Sequence, residues 1–170
     1  MSEIKNQPCM MCGKNKCTLR EDEVDIPYFG RVFLLSMSCD ACGSHKTDLE
    51  PAERKEPTEF VFEVSSEEDL SVKVVKSGEA TIKIPRIITM EPGPASEGFV
   101  TNIEGLLERV KKIIQSAADS EDEKDAKKKA KNLIKKINNV LLGRDKLKIT
   151  ISDKTGCSAI ISDKATKKKL

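Results

Sequence analysis

Cys9-Met10-Met11-Cys12-Gly13 and Cys39-Asp40-Ala41-Cys42-Gly43 are two copies of one pattern. Each offers two thiols from a single tight turn, and the glycine behind each pair relieves the backbone that closes the turn. Four thiolates in this arrangement make a closed tetrahedral site. All-sulfur tetrahedral sites favour zinc or iron. Two pairs separated by residues 13–38, a stretch rich in β-formers, point to zinc and a zinc ribbon. The alternative for any lone C-x-x-C is a redox dithiol or a disulfide. A closed site leaves no position for water or substrate, so one structural zinc held by Cys9, Cys12, Cys39 and Cys42 argues for scaffold and against catalysis. Structural zinc contributes about 10 to 16 kcal/mol of apparent free energy at neutral pH, so a ribbon this small depends on it.

Outward from the knuckles, Thr18–Val24 and Arg31–Ser38 read as the ribbon's central hairpin, flanking Ile26-Pro27-Tyr28-Phe29-Gly30. Residues 1–8 read as a short lead-in arm. Tyr28, Phe29 and Phe33 place half of the six aromatic side chains within six residues. They either pack the ribbon's small core or dock it on the next domain, or else form a partner-binding patch. The ribbon takes residues 1–50, and a polar segment with two prolines, Leu49–Pro57, reads as a linker.

A β domain is expected over 58–163. Thr58–Val64 and Leu70–Lys76 alternate apolar and polar residues, Ser77-Gly78 turns the chain, and Ala80–Ile84 and Ile87–Met90 flank Pro85. A loop follows, Glu91 to Gly98. Two helices come next, a hairpin insertion at about 102–142. Thr101-Asn102-Ile103-Glu104 and Ser120-Glu121-Asp122-Glu123 both read as capping boxes. Behind them Ile103, Leu106, Leu107, Val110, Ile113, Ile114 and Ala117 form one apolar stripe. Ala126, Ala130, Leu133, Ile134, Ile137, Val140 and Leu141 form the other, with Gly143 as the stop. Leu147–Ile151 and Cys157–Ser162 return to strand, so the helices interrupt one β domain instead of forming a third. Residues 164–170 are a basic tail with four lysines and read as frayed.

The 170 residues are 38% hydrophobic and 34% charged, with no tryptophan and a net charge of only +2. No apolar run is long enough to span a bilayer, and no signal-peptide pattern is present, so a cytoplasmic protein is expected. Cys17 and Cys157 stand alone and read as ordinary small side chains. His45, the single histidine, lies three residues past Cys42 and reads as a surface neighbour of the knuckle. No P-loop, nucleophile elbow or H-E-x-x-H pattern occurs, and the clustered histidines of metal-dependent jelly-roll enzymes are missing, so no enzyme is expected. Lys124, Lys127, Lys128, Lys129, Lys131, Lys135 and Lys136 crowd one helix. That run is read either as a solvated polar face or as a nucleic-acid contact, which makes a nucleic-acid-binding ribbon protein of transcription or translation the alternative function.

Several segments together resemble the ZPR-type zinc-finger protein family: the first knuckle, Ile26-Pro27-Tyr28-Phe29, Leu35-Ser36-Met37-Ser38 before the second knuckle, and Val75-Lys76-Ser77. The series continues with Ala80-Thr81-Ile82-Lys83-Ile84-Pro85, Pro92-Gly93 and Thr101-Asn102-Ile103-Glu104-Gly105-Leu106-Leu107. The chain is similar to single-module, archaeal-like members; eukaryotic relatives carry two modules in tandem. The resemblance implies a mainly β protein with an α insertion: a zinc ribbon followed by a double-stranded β-helix, jelly-roll-like domain that carries the helical hairpin. It implies non-catalytic, chaperone-like binding to the translation elongation factor GTPase that delivers aminoacyl-tRNA. Tyr28, Phe29, Arg86, Pro92, Gly93 and Gly98 are the candidate contacts. The chain departs from the family at Arg86, where the resemblance implies an acidic residue and so a contact of opposite sign.

Overall fold

The computed structural model describes residues 2–26, 30–94, 96–120 and 123–170. Met1, Pro27, Tyr28, Phe29, Ala95, Glu121 and Asp122 lie outside them. The described residues form twelve strands and two α-helices, mainly β as expected.

The first four strands, β1 (Ser2–Pro8), β2 (Asn15–Ile26), β3 (Gly30–Cys39) and β4 (His45–Pro51), form one antiparallel sheet in the order β1-β2-β3-β4. The hairpin read from Thr18–Val24 and Arg31–Ser38 is present and longer at both ends. Residues 2–8 are a strand and not a loose arm: Ile4 faces Leu19 and Ser2 faces Glu21. The segment from Leu49 also stays in the sheet as far as Pro51, so the irregular connection begins three residues later than its composition suggests.

The remaining strands form a sandwich. One sheet runs β12-β5-β10-β7-β8, with β5 Thr58–Val64, β7 Thr81–Ile84, β8 Ile88–Met90, β10 Leu147–Asp153 and β12 Thr166–Lys169. The other runs β11-β6-β9, with β6 Lys73–Lys76, β9 Phe99–Asn102 and β11 Ala159–Ile161. Between β9 and β10 the chain leaves the sheets as α1 (Ile103–Asp119) and α2 (Lys124–Leu141), then returns to pair β10 with β5 and β7. Phe62, Val74, Ile82, Ile84, Ile149 and Ile151 from the sheets and Leu106, Leu107, Val110, Ile137 and Val140 from the helices share one buried core. This is the expected jelly roll with a helical hairpin.

Several local readings change. The start of the Leu70–Lys76 segment is a 3-10 turn over Glu68–Ser71, pinned because Asp69 accepts from the amides of Ser65 (2.9 Å) and Ser66 (3.2 Å). The cap of α1 is Asn102, whose side chain accepts from the Gly105 amide at 2.8 Å; Thr101 is still in β9. Ser120 closes α1, its hydroxyl donating to the Ser116 carbonyl, and α2 starts after Glu123 without a side-chain cap. Glu121 and Asp122 of that expected box are outside the described residues. In α1 Ala118 is buried, whereas Ile113 and Ala117 are exposed.

The basic tail is not frayed, because Thr166–Lys169 pairs with β5 from Thr166↔Val61 to Lys169↔Thr58. Its side chains are all exposed, so it is an edge strand held by backbone pairing, with Lys164 bound to Asp69 at 2.8 Å.

The ribbon sits on the outer face of the three-stranded sheet, where Val32 packs with Val75, Cys157 and Ala159. Polar contacts fix the join: the Gly98 amide donates to Asp48 at 3.0 Å, Lys46 pairs with Glu97 at 2.5 Å, and the Lys55 amide donates to the Thr155 carbonyl at 2.7 Å.

Candidate metal centre

The two knuckles are built alike. In the first, the Gly13 amide donates to the Cys9 carbonyl (2.8 Å) and the Cys9 amide to the Lys14 carbonyl (3.0 Å). In the second, the Gly43 amide donates to Cys39 and the Cys39 amide to Ser44, both at 2.9 Å. Gly13 and Gly43 share φ +70°, the left-handed conformation that residues with a Cβ resist. The glycine in each motif is therefore a requirement of the turn.

These turns point four sulfurs at one spot. The Sγ atoms of Cys9, Cys12, Cys39 and Cys42 all lie within 4.8 Å of one another, with Cys9 to Cys42 at 3.7 Å and Cys12 to Cys39 at 3.8 Å. A regular tetrahedron of sulfurs about 2.3 Å from a central zinc has edges of roughly 3.8 Å. The separations fit zinc and are far longer than the roughly 2.05 Å of a disulfide, and all six cysteines are free. The donor set also asks for a cation. The Ser44 hydroxyl, with the amides of Cys12 and Met11, draws Cys9 down to about 6, and Ser44 lowers Cys42 as well. A hydrogen bond from the Lys14 backbone favours the Cys12 thiolate, but burial and the sulfurs of Cys42, Cys39 and Cys9 push it up to about 11. Adjacent thiolates cannot all ionise alone, and a divalent ion removes that conflict.

Cys17 is buried against Cys9 and Cys39, facing Cys39 across the β2–β3 ladder, and is not one of the four converging residues. Burial raises its thiol, as do the neighbouring sulfurs. His45 is exposed, its ring nitrogens within 3.2 Å of the Ser38 hydroxyl and 3.1 Å of the Thr47 hydroxyl. Cys157 is buried under the linker, its thiol donating to the Glu53 and Thr155 carbonyls at 3.2 Å each. Ser44, whose hydroxyl lies 3.5 Å from the Cys9 sulfur, went unread in the sequence. Its signal was a hydroxyl placed directly after the second knuckle glycine.

The other candidate residues are scattered. Tyr28 and Phe29 fall outside the described residues. Arg86 is exposed on the turn between β7 and β8, at φ +63°, at the far end of β8 from the 91–98 loop. Pro92 and Gly93 are exposed in that loop, while Gly98 is buried and lines a cleft of about 560 Å³. Thr47 of the ribbon, Lys76, Phe99 and, on α1, Arg109 and Ile113 also line it. Arg109 lies over the Phe99 ring, 4.6 Å from its centroid. The sequence did not mark this cleft, because its walls come from four separate segments. It also did not mark the apolar face of the ribbon. Ile4, Leu19, Leu35 and Met37 line a groove there, and Met10 and Met11 are 87% and 77% exposed at the first knuckle.

A four-sulfur ribbon docked on a jelly roll that carries a helical hairpin defines a zinc-finger architecture, without a membrane-crossing helix among the described residues. The ZPR1 zinc-finger domain model matches residues 3–57, and the ZPR1 jelly-roll domain model matches residues 68–170. The chain belongs to the ZPR1 family. It is 36% identical over 165 residues to a ZPR1-like protein of Methanocaldococcus jannaschii, covering 96% of this chain and 83% of that one. To a ZPR1-like protein of Pyrococcus horikoshii it is 38% identical over 176 residues, covering 100% and 78%. A zinc finger chaperone of Schizosaccharomyces pombe is 36% identical over 156 residues, which cover 89% of this chain but 33% of the yeast protein. Family and cysteine cluster together make this a zinc-binding protein.

Proposed function

We propose that the chain is a non-catalytic client-binding module, in which one zinc ion on Cys9, Cys12, Cys39 and Cys42 holds the ribbon as a rigid docking plate. Its client is the translation elongation factor GTPase that delivers aminoacyl-tRNA. The observation that carries the reading is apolar surface displayed around a closed metal centre. Beside the two exposed methionines, Ile4 and Leu19 are 55% and 37% exposed, on a sheet face with no covering element among the described residues. Exposed unbranched methionines suit a surface that adapts to its partner. The naming of the fission yeast relative as a chaperone supports it. Four thiolates fill the coordination sphere, so the ion supplies structure and leaves no site for a reacting group. Thiolates stay available to metal in a reducing compartment, which supports a cytoplasmic location. The working division is residues 1–50 as ribbon, 58–163 as β domain with the hairpin inserted at about 102–142, and 164–170 as basic tail. Pro92, Gly93 and Gly98 with the adjoining cleft form the second contact region, and Arg86 lies apart from it.

Titration of purified elongation factor, in its GDP and GTP forms, against the zinc-loaded chain tests this. Binding that weakens at least about tenfold in a Met10→Asp/Met11→Asp variant with unchanged zinc content supports the reading. Absence of binding in both nucleotide states, or full affinity in the variant, overturns it.

A further inference from the structure

Helix α2 carries seven lysines and one aspartate over Lys124–Leu141, a local charge of +6 (7 − 1), whereas the whole chain sums to only +2. None of these lysines has an acidic partner within ion-pair distance among the described residues, although lysines elsewhere do, such as Lys46, Lys111, Lys164 and Lys169. Their placement is also uneven. At about 100° per residue, Lys124, Lys127, Lys128, Lys131 and Lys135 fall within an arc of roughly 100° and a rise of about 16 Å. That arc is centred almost opposite the buried Ala130, Ile137 and Val140. Lys129 and Lys136 lie roughly 80° or more from it.

We propose that this stripe is a binding surface for the phosphate backbone of double-helical RNA. Five unneutralised ammonium groups in line match a regular row of phosphates, and releasing the counterions of that row drives association. The stripe has no aromatic side chain to stack on a base and no arginine to read one. It therefore recognises backbone and not sequence. A membrane fits less well, because the apolar side of α2 is already packed into the core and leaves nothing to insert between lipids. B-form DNA fits less well, because a helix held down on its own domain cannot sink into the major groove. The wide, shallow minor groove of A-form RNA, edged by phosphates and 2′-hydroxyls, accepts a helix laid across it. The surface is separate from the ribbon face assigned to the client, so the two readings stand or fall independently.

Fluorescence anisotropy of a labelled RNA duplex against the full zinc-loaded chain tests the surface. Parallel arms use a DNA duplex of the same sequence, phosphatidylserine vesicles and polyglutamate. Five contacts predict a log–log salt slope of about −4.5, so affinity falls about 140-fold between 50 and 150 mM salt. Lys128→Gln/Lys131→Gln reduces the slope to about −2.7 and that fall to about 20-fold. Lys129→Gln/Lys136→Gln removes the same charge off the stripe and leaves the wild-type slope. No RNA binding at 50 mM salt, equal losses in the two variants, or equal or tighter binding of DNA, vesicles or polyglutamate overturns the proposal.

Discussion

Stripping the metal is the perturbation with the most to say about this chain. The sulfur separations of 3.7 and 3.8 Å, divided by the 1.63 ratio of edge to radius in a tetrahedron, give a metal–sulfur distance of about 2.3 Å. X-ray absorption at the zinc edge should return four sulfurs at that distance. The energetic consequence follows from what the ribbon buries. Among the described residues of its four strands and knuckles, the fully buried side chains are Cys9, Cys17, Val32 and Cys39, and Val32 packs on the other domain. Among the described residues the sheet has no buried aliphatic core of its own. An ion contributing about 10 to 16 kcal/mol then outweighs the roughly 5 to 15 kcal/mol by which whole domains are stable. Chelation under reducing conditions should abolish amide-exchange protection across β2 and β3, while β5, β10 and α1, built around Phe62, Ile149 and Leu107, keep theirs. Nitrogen or oxygen scatterers near 2.0 Å would refute the geometry. A protected ribbon in the chelated protein would refute the energetics.

Three further outcomes follow from the join between the domains and from its anchors. Gly156 has φ +67°, and a Cβ there would meet the Glu56 carbonyl oxygen at 2.1 Å, so Gly156→Ala should cost at least about 2 kcal/mol in thermal denaturation. Buried Asp153 accepts from the hydroxyls of Ser77 (2.8 Å), Ser158 (2.5 Å) and Thr155 (2.7 Å) and from the amides of Thr155 and Cys157. Asp153→Ala strands those donors, and denaturant titration should show a loss of about 3 to 5 kcal/mol. Burial opposes ionisation of Asp69, but its hydrogen bond from Lys164, with those from Ser65, holds the carboxyl down to about 2. Its stabilising contribution is therefore complete above about pH 4 and lost as pH falls toward 2, and Lys164→Gln should move the acid transition to higher pH.

The parts legible in the sequence were those where one local pattern decides the structure. Two C-x-x-C-Gly turns specify a metal site almost by themselves, and the stripes from Ile103 to Ile114 and from Ala130 to Val140 specify two helices. Strands β1 and β12 escaped because Ser2–Pro8 has Ile4 as its one aliphatic side chain and Thr166–Lys169 is polar throughout; they are edges recruited by backbone pairing, which leaves no alternation to read. The cap of α1 slipped by one residue because Thr101 and Asn102 are both good caps, and only the extension of β9 to Asn102 decides between them. The Asp153 network and the cleft beside Phe99 join residues far apart in the chain, so no window of sequence contains them.

Among the described residues, strand β5 pairs with β10 and β12 alone, and both follow the helical hairpin, by way of Leu147↔Val64 and Thr166↔Val61. During synthesis it leaves the ribosome with both edges bare and waits for more than eighty residues of chain (147 − 64 = 83) before a neighbour exists. The ribbon, made of consecutive hairpins, can close on its ion in the meantime. Folding order thus runs from metal to sandwich, and the vulnerable interval for aggregation belongs to Thr58–Val64.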